Sequence, residues 1–311
     1  MSSTSSDDDD NLNILTPHEI LVAGLKALKY SKRRINRCKD STNQGRLRNA
    51  HGLNSVALAQ LWEDLQTTSI EEARLDPNQR DLLMFFISLN FLKKYRTEKD
   101  QDEHWQISDR KTRDNNWHYV KKIAALRSWK IKWPDDNFGN DIWVMSVDGV
   151  HIKSYEKRSN EKKLNLDPKI FSYKHRCAGY LVEIGLALHE SKCVWIRGPY
   201  KAGTVNDIKV FTTKGLKDKL EQCGKVAIGD SGYTGYSHIC STPNIGYDEP
   251  EVRKFKTRAR MRHERYNAML ETFKCMVGPF RSSEEKLSLC LDAVAVLCEY
   301  KMEHGEPLFD I

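Results

Sequence analysis

The sequence predicts an α/β fold in two parts, a helical region followed by a sheet with helices around it. Three observations carry that prediction. Apolar residues recur at helical spacing through residues 15–130, short β-type runs take over from Asp141, and helical periodicity returns from Lys254.

The elements follow in order. Residues 1–13 are rich in Ser and Asp, with the run Asp7-Asp8-Asp9-Asp10, and hold too little apolar surface to fold. A disordered acidic tail is expected there. Lys32-Arg33-Arg34, with Arg37 and Lys39, forms a short basic cluster, read either as a nuclear import signal or as a solvated patch. Leu82, Leu83, Phe85, Phe86, Leu89, Phe91 and Leu92 predict a strongly apolar helix. Ser108-Asp109 offers an N-cap for another helix running to about Leu126, with Trp117, Val120, Ile123 and Ala124 on its inner face. With the short segment before it, Glu98 to Ile107, this pattern resembles a helix-turn-helix, with Arg110, Lys111, Arg113 and Asn115 opening its second helix. Residues 14–135 are therefore expected to be an all-α, helix-turn-helix-like DNA-binding domain. The alternative is an ordinary helical bundle that packs on the next domain.

Trp133-Pro134-Asp135-Asp136 breaks the helical pattern. Ile142–Val147 then reads as a buried strand, Ala178–His189 and Lys192–Arg197 as two more, and Asn206 to about Gln222 as a helix. Lys225–Gly229 reads as a fourth strand, and residues 254–276 and Glu285–Glu303 as helices. Strand, strand, strand, helix, strand, helices is the order of a ribonuclease H-like α/β domain, expected over residues 140–311.

The charge balance fits a polyanionic partner: the 311-residue chain carries a formal +7 despite its acidic start. None of the eight cysteines shows CxxC or zinc-finger spacing, and there is no signal peptide, so reduced thiols in a cytosolic or nuclear protein are expected. No apolar stretch approaches the ~20 residues a membrane helix needs, so a soluble chain is expected.

Three acids stand in settings suited to a metal ion. Asp148 ends the first apolar run and precedes Gly149; Asp230 ends the run Val226-Ala227-Ile228-Gly229. Glu264 lies in the late helix. Two divalent ions about 4 Å apart need clustered carboxylates to bridge a scissile phosphate, and a rigid sheet fixes the spacing of acids at strand ends. The first and fourth strands are expected to be neighbours, which would join Asp148 to Asp230. On the helical wheel Arg260, Glu264, Asn267 and Glu271 share a stripe opposite the apolar face, which reads either as a solvated face or as the metal-facing one. Glu264 is flanked by Arg258, Arg260, Arg262 and further basic residues, suited to phosphate contacts. Asp207 competes with Asp230 as second ligand, but its place in a first helical turn already has a structural reason in the helix dipole. His151, His175 and His263 read as structural or phosphate-facing.

Five blocks together resemble Harbinger-like DDE transposases: Val147-Asp148-Gly149-Val150-His151-Ile152, Gly203-Thr204-Val205-Asn206-Asp207-Ile208-Lys209-Val210-Phe211, Gly229-Asp230-Ser231-Gly232-Tyr233, the run from Arg258 to Asn267, and Pro307-Leu308-Phe309-Asp310. The resemblance implies a Mg²⁺- or Mn²⁺-dependent endonuclease and strand transferase that moves a DNA transposon. Its triad falls on Asp148, Asp230 and Glu264. It also implies double-stranded DNA as substrate, a Myb-like DNA-binding partner, a homo-oligomer and a nuclear location. Val150 departs from the usual Thr after Asp-Gly, and Lys201-Ala202 is an unusual lead-in to Gly203; neither removes a ligand. Two other readings stay open, a domesticated DNA-binding descendant without transposition and a non-transposon nuclease of the same fold.

Overall fold

The structure is a computed structural model that describes residue 12 and residues 14–155, 167–244 and 246–311. All of the expected acidic tail except Leu12 lies outside the described residues. The helical region consists of α1 (Pro17–Ala27), α2 (Lys32–Arg37), α3 (Asp40–His51), α4 (Ser55–Thr67), α5 (Leu82–Lys94), α6 (Glu98–Trp105), α7 (Asp109–Ala125) and α8 (Arg127–Lys130). Side-chain caps start several of these: Thr16 and Glu19 form a capping box on α1, and Thr97 and Asp100 another on α6. Residues Met84 to Leu92 of α5 are all buried, so this helix is enclosed on every side. Gln106 takes the left-handed conformation, φ 56°, and lets the chain turn from α6 into α7.

The sheet comprises β1 (Trp143–Lys153), β2 (Phe171–Ser172), β3 (Cys177–Ala187), β4 (Cys193–Lys201), β5 (Val226–Ile228) and β6 (Cys240–Ser241). β1 pairs antiparallel with β3, and β3 antiparallel with both β4 and β2. On its other side β1 pairs parallel with β5, and β5 parallel with β6. This mixed α/β arrangement is compatible with a ribonuclease H-like domain, and the expected adjacency of the first strand and the strand of Asp230 is present. One expectation is corrected. β1 continues to Lys153 instead of stopping at Val147, because β3 pairs with it as far as Gly179 opposite Lys153.

The helix expected from Asn206 to Gln222 is two, α9 (Asp207–Thr213) and α10 (Leu216–Cys223). Gly215 between them sits at φ +101°, a left-handed conformation that interrupts the first helix. The late helices are α11 (Pro250–Glu271), α12 (Lys274–Val277) and α13 (Glu284–Glu303).

One apolar core runs from α1, α4, α5 and α7 into β3, α11 and α13. The helical region and the sheet are stapled by polar contacts too. Tyr300 of α13 donates its hydroxyl to Asp64 of α4, and the Cys193 N–H of β4 donates to Glu299 Oε1 at 3.1 Å. A smaller core joins the other face of β1 to α9, α10 and Tyr233. All eight cysteines are free thiols, and among the described residues no helix is long and apolar enough to cross a membrane.

Candidate active site

β1 alternates, so neighbouring residues face opposite sides of the sheet. Ser146 and Asp148 face α11. Ser146 Oγ lies 3.1 Å from His263 Nδ1, and Asn267 Nδ2 donates to Asp148 Oδ2 at 3.2 Å. Gly149 faces the other way, where a Cβ would overlap Asp207 Oδ1. Only glycine therefore lets Asp207 lie flat against the strand. β5 ends at Ile228, opposite Ser146. Asp148 is thus mid-strand in β1 but just past the end of its parallel partner. There the chain turns through Gly229 into Asp230, whose Oδ1 accepts the Gly232 N–H at 2.8 Å and caps the short turn Ser231–Tyr233.

Asp148, Asp207 and Asp230 consequently share one neighbourhood. Burial pushes the Asp148 carboxyl up to about 6, and the negative charges of Asp230 and Asp207 add to the rise; the Gly149 N–H and Asn267 oppose it. Lys174 answers this charge. Its Nζ lies 3.1 Å from Asp207 Oδ2. Partial burial works against the ammonium, but Asp207, Asp230 and Asp148 together hold its pKa above the ordinary lysine value.

A fourth carboxyl lies beneath. Glu183 on β3 is the register partner of Gly149 and is 1% exposed. Trp195 Nε1 donates to its Oε2 at 3.0 Å, while Oε1 has no partner among the described residues. Burial holds this carboxyl up at about 8, with a further push from Asp207 against the pull of the Trp195 bond. At neutral pH Glu183 is largely protonated.

The expected site residues fare differently. Asp148, Asp230 and Asp207 come together, so the two candidates for second ligand are both present. Glu264 is exposed on α11, and the residue of that helix that reaches Asp148 is Asn267, one turn further on. The stripe of Arg260, Glu264, Asn267 and Glu271 is therefore split, with Asn267 half-buried against the sheet. Among the described residues no three His, Cys, Asp or Glu side chains form a group ready to hold a metal ion. The donor chemistry nevertheless fits a hard divalent cation. Three carboxylates repel one another, one attracts a lysine ammonium, and Asn267 Oδ1 is buried without a partner among the described residues.

The basic residues also divide. Arg262 is corrected: it is 2% exposed and donates to the carbonyls of Ala187, Leu188 and Glu190, so it anchors the end of β3 and does not face a phosphate. Arg258 is exposed, over the Phe309 ring and bonded to the Asp310 carbonyl, and Arg260 is exposed. In α7, Arg110 and Lys111 are exposed, while Arg113 pairs with Glu98 at 2.8 Å. His263 is structural, buried against Ser146. His151 and His175 stack on each other with ring centroids 4.3 Å apart.

Sequence reasoning missed Asn267 as a contact, Lys174 and Glu183. Asn267 had a usable signal: it lies four residues after His263, the spacing that puts two helical side chains on one face. Lys174 and Glu183 had none, because their roles arise from sheet register and loop path.

Residues 147–299 match the family model described as DDE superfamily endonuclease. The matched segment runs from β1 into α13 and contains five acids named above, Asp148, Asp207, Asp230, Glu183 and Glu264. The match supports assigning this segment to the DDE endonuclease superfamily, whose members act as transposases and nucleases on DNA with divalent metals. No curated protein and no solved structure matches the chain.

Proposed function

We propose that the chain is a Harbinger-like DDE transposase that cuts double-stranded DNA at the ends of its element and joins them to a target. The observation that carries this reading is the convergence of Asp148, Asp207 and Asp230 where β5 ends beside β1. Bound there, Mg²⁺ or Mn²⁺ would supply polarisation of the attacking water or 3′-hydroxyl and charge stabilisation at the leaving oxygen.

The chain's own residues do the rest. β1 fixes Asp148, and the capped turn after β5 fixes Asp230. Asn267 sets α11 against β1, and in this reading Glu264, one turn earlier, completes the ligand set from the rim. Lys174 neutralises Asp207 and would have to give that carboxylate up for it to hold a cation. Arg258, Arg260, Arg110, Lys111 and Arg113 contact the DNA backbone. A nuclear location, a Myb-like partner and a homo-oligomer come with the Harbinger-like resemblance.

A second reading is a descendant that binds DNA without cutting. The Lys174–Asp207 ion pair favours it, since a lysine can replace the charge of a lost cation. The deciding experiment incubates purified protein and its Asp148→Asn variant with labelled DNA carrying the element's terminal repeats, with and without Mg²⁺. Metal-dependent cutting by the unmodified protein alone supports the transposase. Tight binding with no cutting in either Mg²⁺ or Mn²⁺ supports the second reading.

A further inference from the structure

Beside Asp207 the surface opens into a cavity of about 350 Å³. Its lining combines two chemistries, flat rings and ammonium groups. Three flat rings come from His151, His175 and Tyr173, and two ammonium groups from Lys174 and Lys209. The histidine rings are stacked nearly parallel, 15° apart, and burial lowers the pKa of both, that of His151 to about 4. They therefore present neutral ring faces at neutral pH. Tyr173 is 80% exposed, held from one side by an edge-to-face contact with Phe171 at 5.4 Å. A large aromatic side chain left open at the mouth of a cavity is a stacking platform without its partner. Lys174 and Lys209 suit a phosphate. Lys174 is already at the carboxylate cluster, and Lys209 Nζ is bonded only to the Thr204 carbonyl among the described residues.

We infer that this cavity holds one unpaired nucleotide of the DNA next to the phosphate being cut, its base against Tyr173 and the histidine pair, its phosphate on Lys174 and Lys209. This rests on the DNA-cutting reading and extends it. The position follows from continuity: Asp207 belongs both to the carboxylate cluster and to the cavity wall, so a strand lying across the aspartates has its neighbouring nucleotide at the cavity mouth. A nucleotide drawn out of a duplex loses its pairing and stacking, at a cost of a few kcal/mol. A dedicated pocket offsets that cost.

The test is a binding measurement with the full-length protein, with Ca²⁺ in place of Mg²⁺. Two duplexes of one sequence are compared, one blunt and one with a single unpaired nucleotide at an end, the latter made in both strand polarities. The unpaired nucleotide should tighten binding by roughly 10-fold in one polarity, the gain expected from one base stacked on an aromatic ring. Tyr173→Ala and His175→Ala should remove that preference and leave the blunt duplex bound as before, and Tyr173→Phe should retain it. Equal binding of blunt and unpaired duplexes by the unmodified protein overturns the nucleotide pocket while leaving the DNA-cutting reading intact. So does an equal loss on both duplexes in the alanine variants. Failure to bind either duplex overturns the DNA-cutting reading itself, and the pocket with it.

Discussion

Asn267 of α11 donates its side-chain N–H to Asp148 Oδ2 of β1 across 3.2 Å, and its own oxygen is buried without a partner among the described residues. One amide thus joins the late helix to the central strand at the carboxylate cluster. Its spare acceptor is the group a cation or an ordered water would take up.

Asn267→Ala and Glu264→Gln should separate positioning from ligation. If Asn267 sets α11 on β1, Asn267→Ala should lower the cutting rate, weaken Ca²⁺ binding by calorimetry, and reduce stability by about 1–2 kcal/mol. Glu264 is exposed, so Glu264→Gln should leave stability within about 0.5 kcal/mol yet abolish cutting if it is a ligand. Normal cutting by Glu264→Gln would remove it from the metal site.

Asp207→Asn and Asp230→Asn probe which acid is the second ligand. Asp230 follows the strand beside β1, whereas Asp207 already serves α9 and Lys174. Asp230→Asn should therefore eliminate cutting, and Asp207→Asn should slow it more mildly while freeing Lys174. A reversed order in a cleavage time course would assign the second ligand to Asp207.

Arg262 and Arg260 lie two residues apart on one helix and should behave oppositely. Arg262→Ala strips a buried guanidinium from three carbonyls and should cost roughly 3–5 kcal/mol in denaturant unfolding. Arg260→Ala should leave stability almost unchanged and, if Arg260 contacts a phosphate, lower the log–log salt slope of DNA binding by about 0.9. A stable Arg262→Ala protein would contradict the buried anchor.

Glu183 makes stability depend on pH. Its folded-state pKa, about 8, lies above that of the unfolded chain, so the folded protein holds a proton that the unfolded chain has released. Stability is full below the unfolded value near 4.3, falls as pH rises, and levels off above about 8. Glu183→Gln removes that dependence and keeps the partner of Trp195 Nε1. The variant should match the unmodified protein at pH 4 and exceed it by roughly 4–5 kcal/mol at pH 8. Parallel stability curves for the two proteins would show that Glu183 is not a buried acid.

Much of this architecture was legible in the residues. The runs at Ile142–Val147 and Val226–Gly229 announced two strands, with Asp148 and Asp230 at their ends beside glycine. What was not legible depends on partners distant in sequence. β1 extends past Val147 because β3 pairs with it, and nothing in Asp148-Gly149-Val150-His151 encodes that. Arg262 looked identical to its exposed neighbours in a run of basic residues, and only the carbonyls at the end of β3 distinguish it. The wheel left the stripe of Asn267 open between solvent and the site, because a periodicity average cannot register a single polar contact across a sheet.

The core that α13 shares with α4, α5 and α7 has a consequence for how such a chain can be remodelled. Had the helical half and the sheet half met through a wet, polar seam, one could be exchanged for another over generations like a tool head on a common handle. Here α13 presents Leu287, Leu291, Val294, Leu297 and Tyr300 to a dry core that the first half of the chain helps to build. A graft that replaced residues 14–135 would leave that side of α13 facing water. Change in the helical half must then accumulate by substitution on exposed faces such as those of α6 and α7, while the buried flank stays fixed.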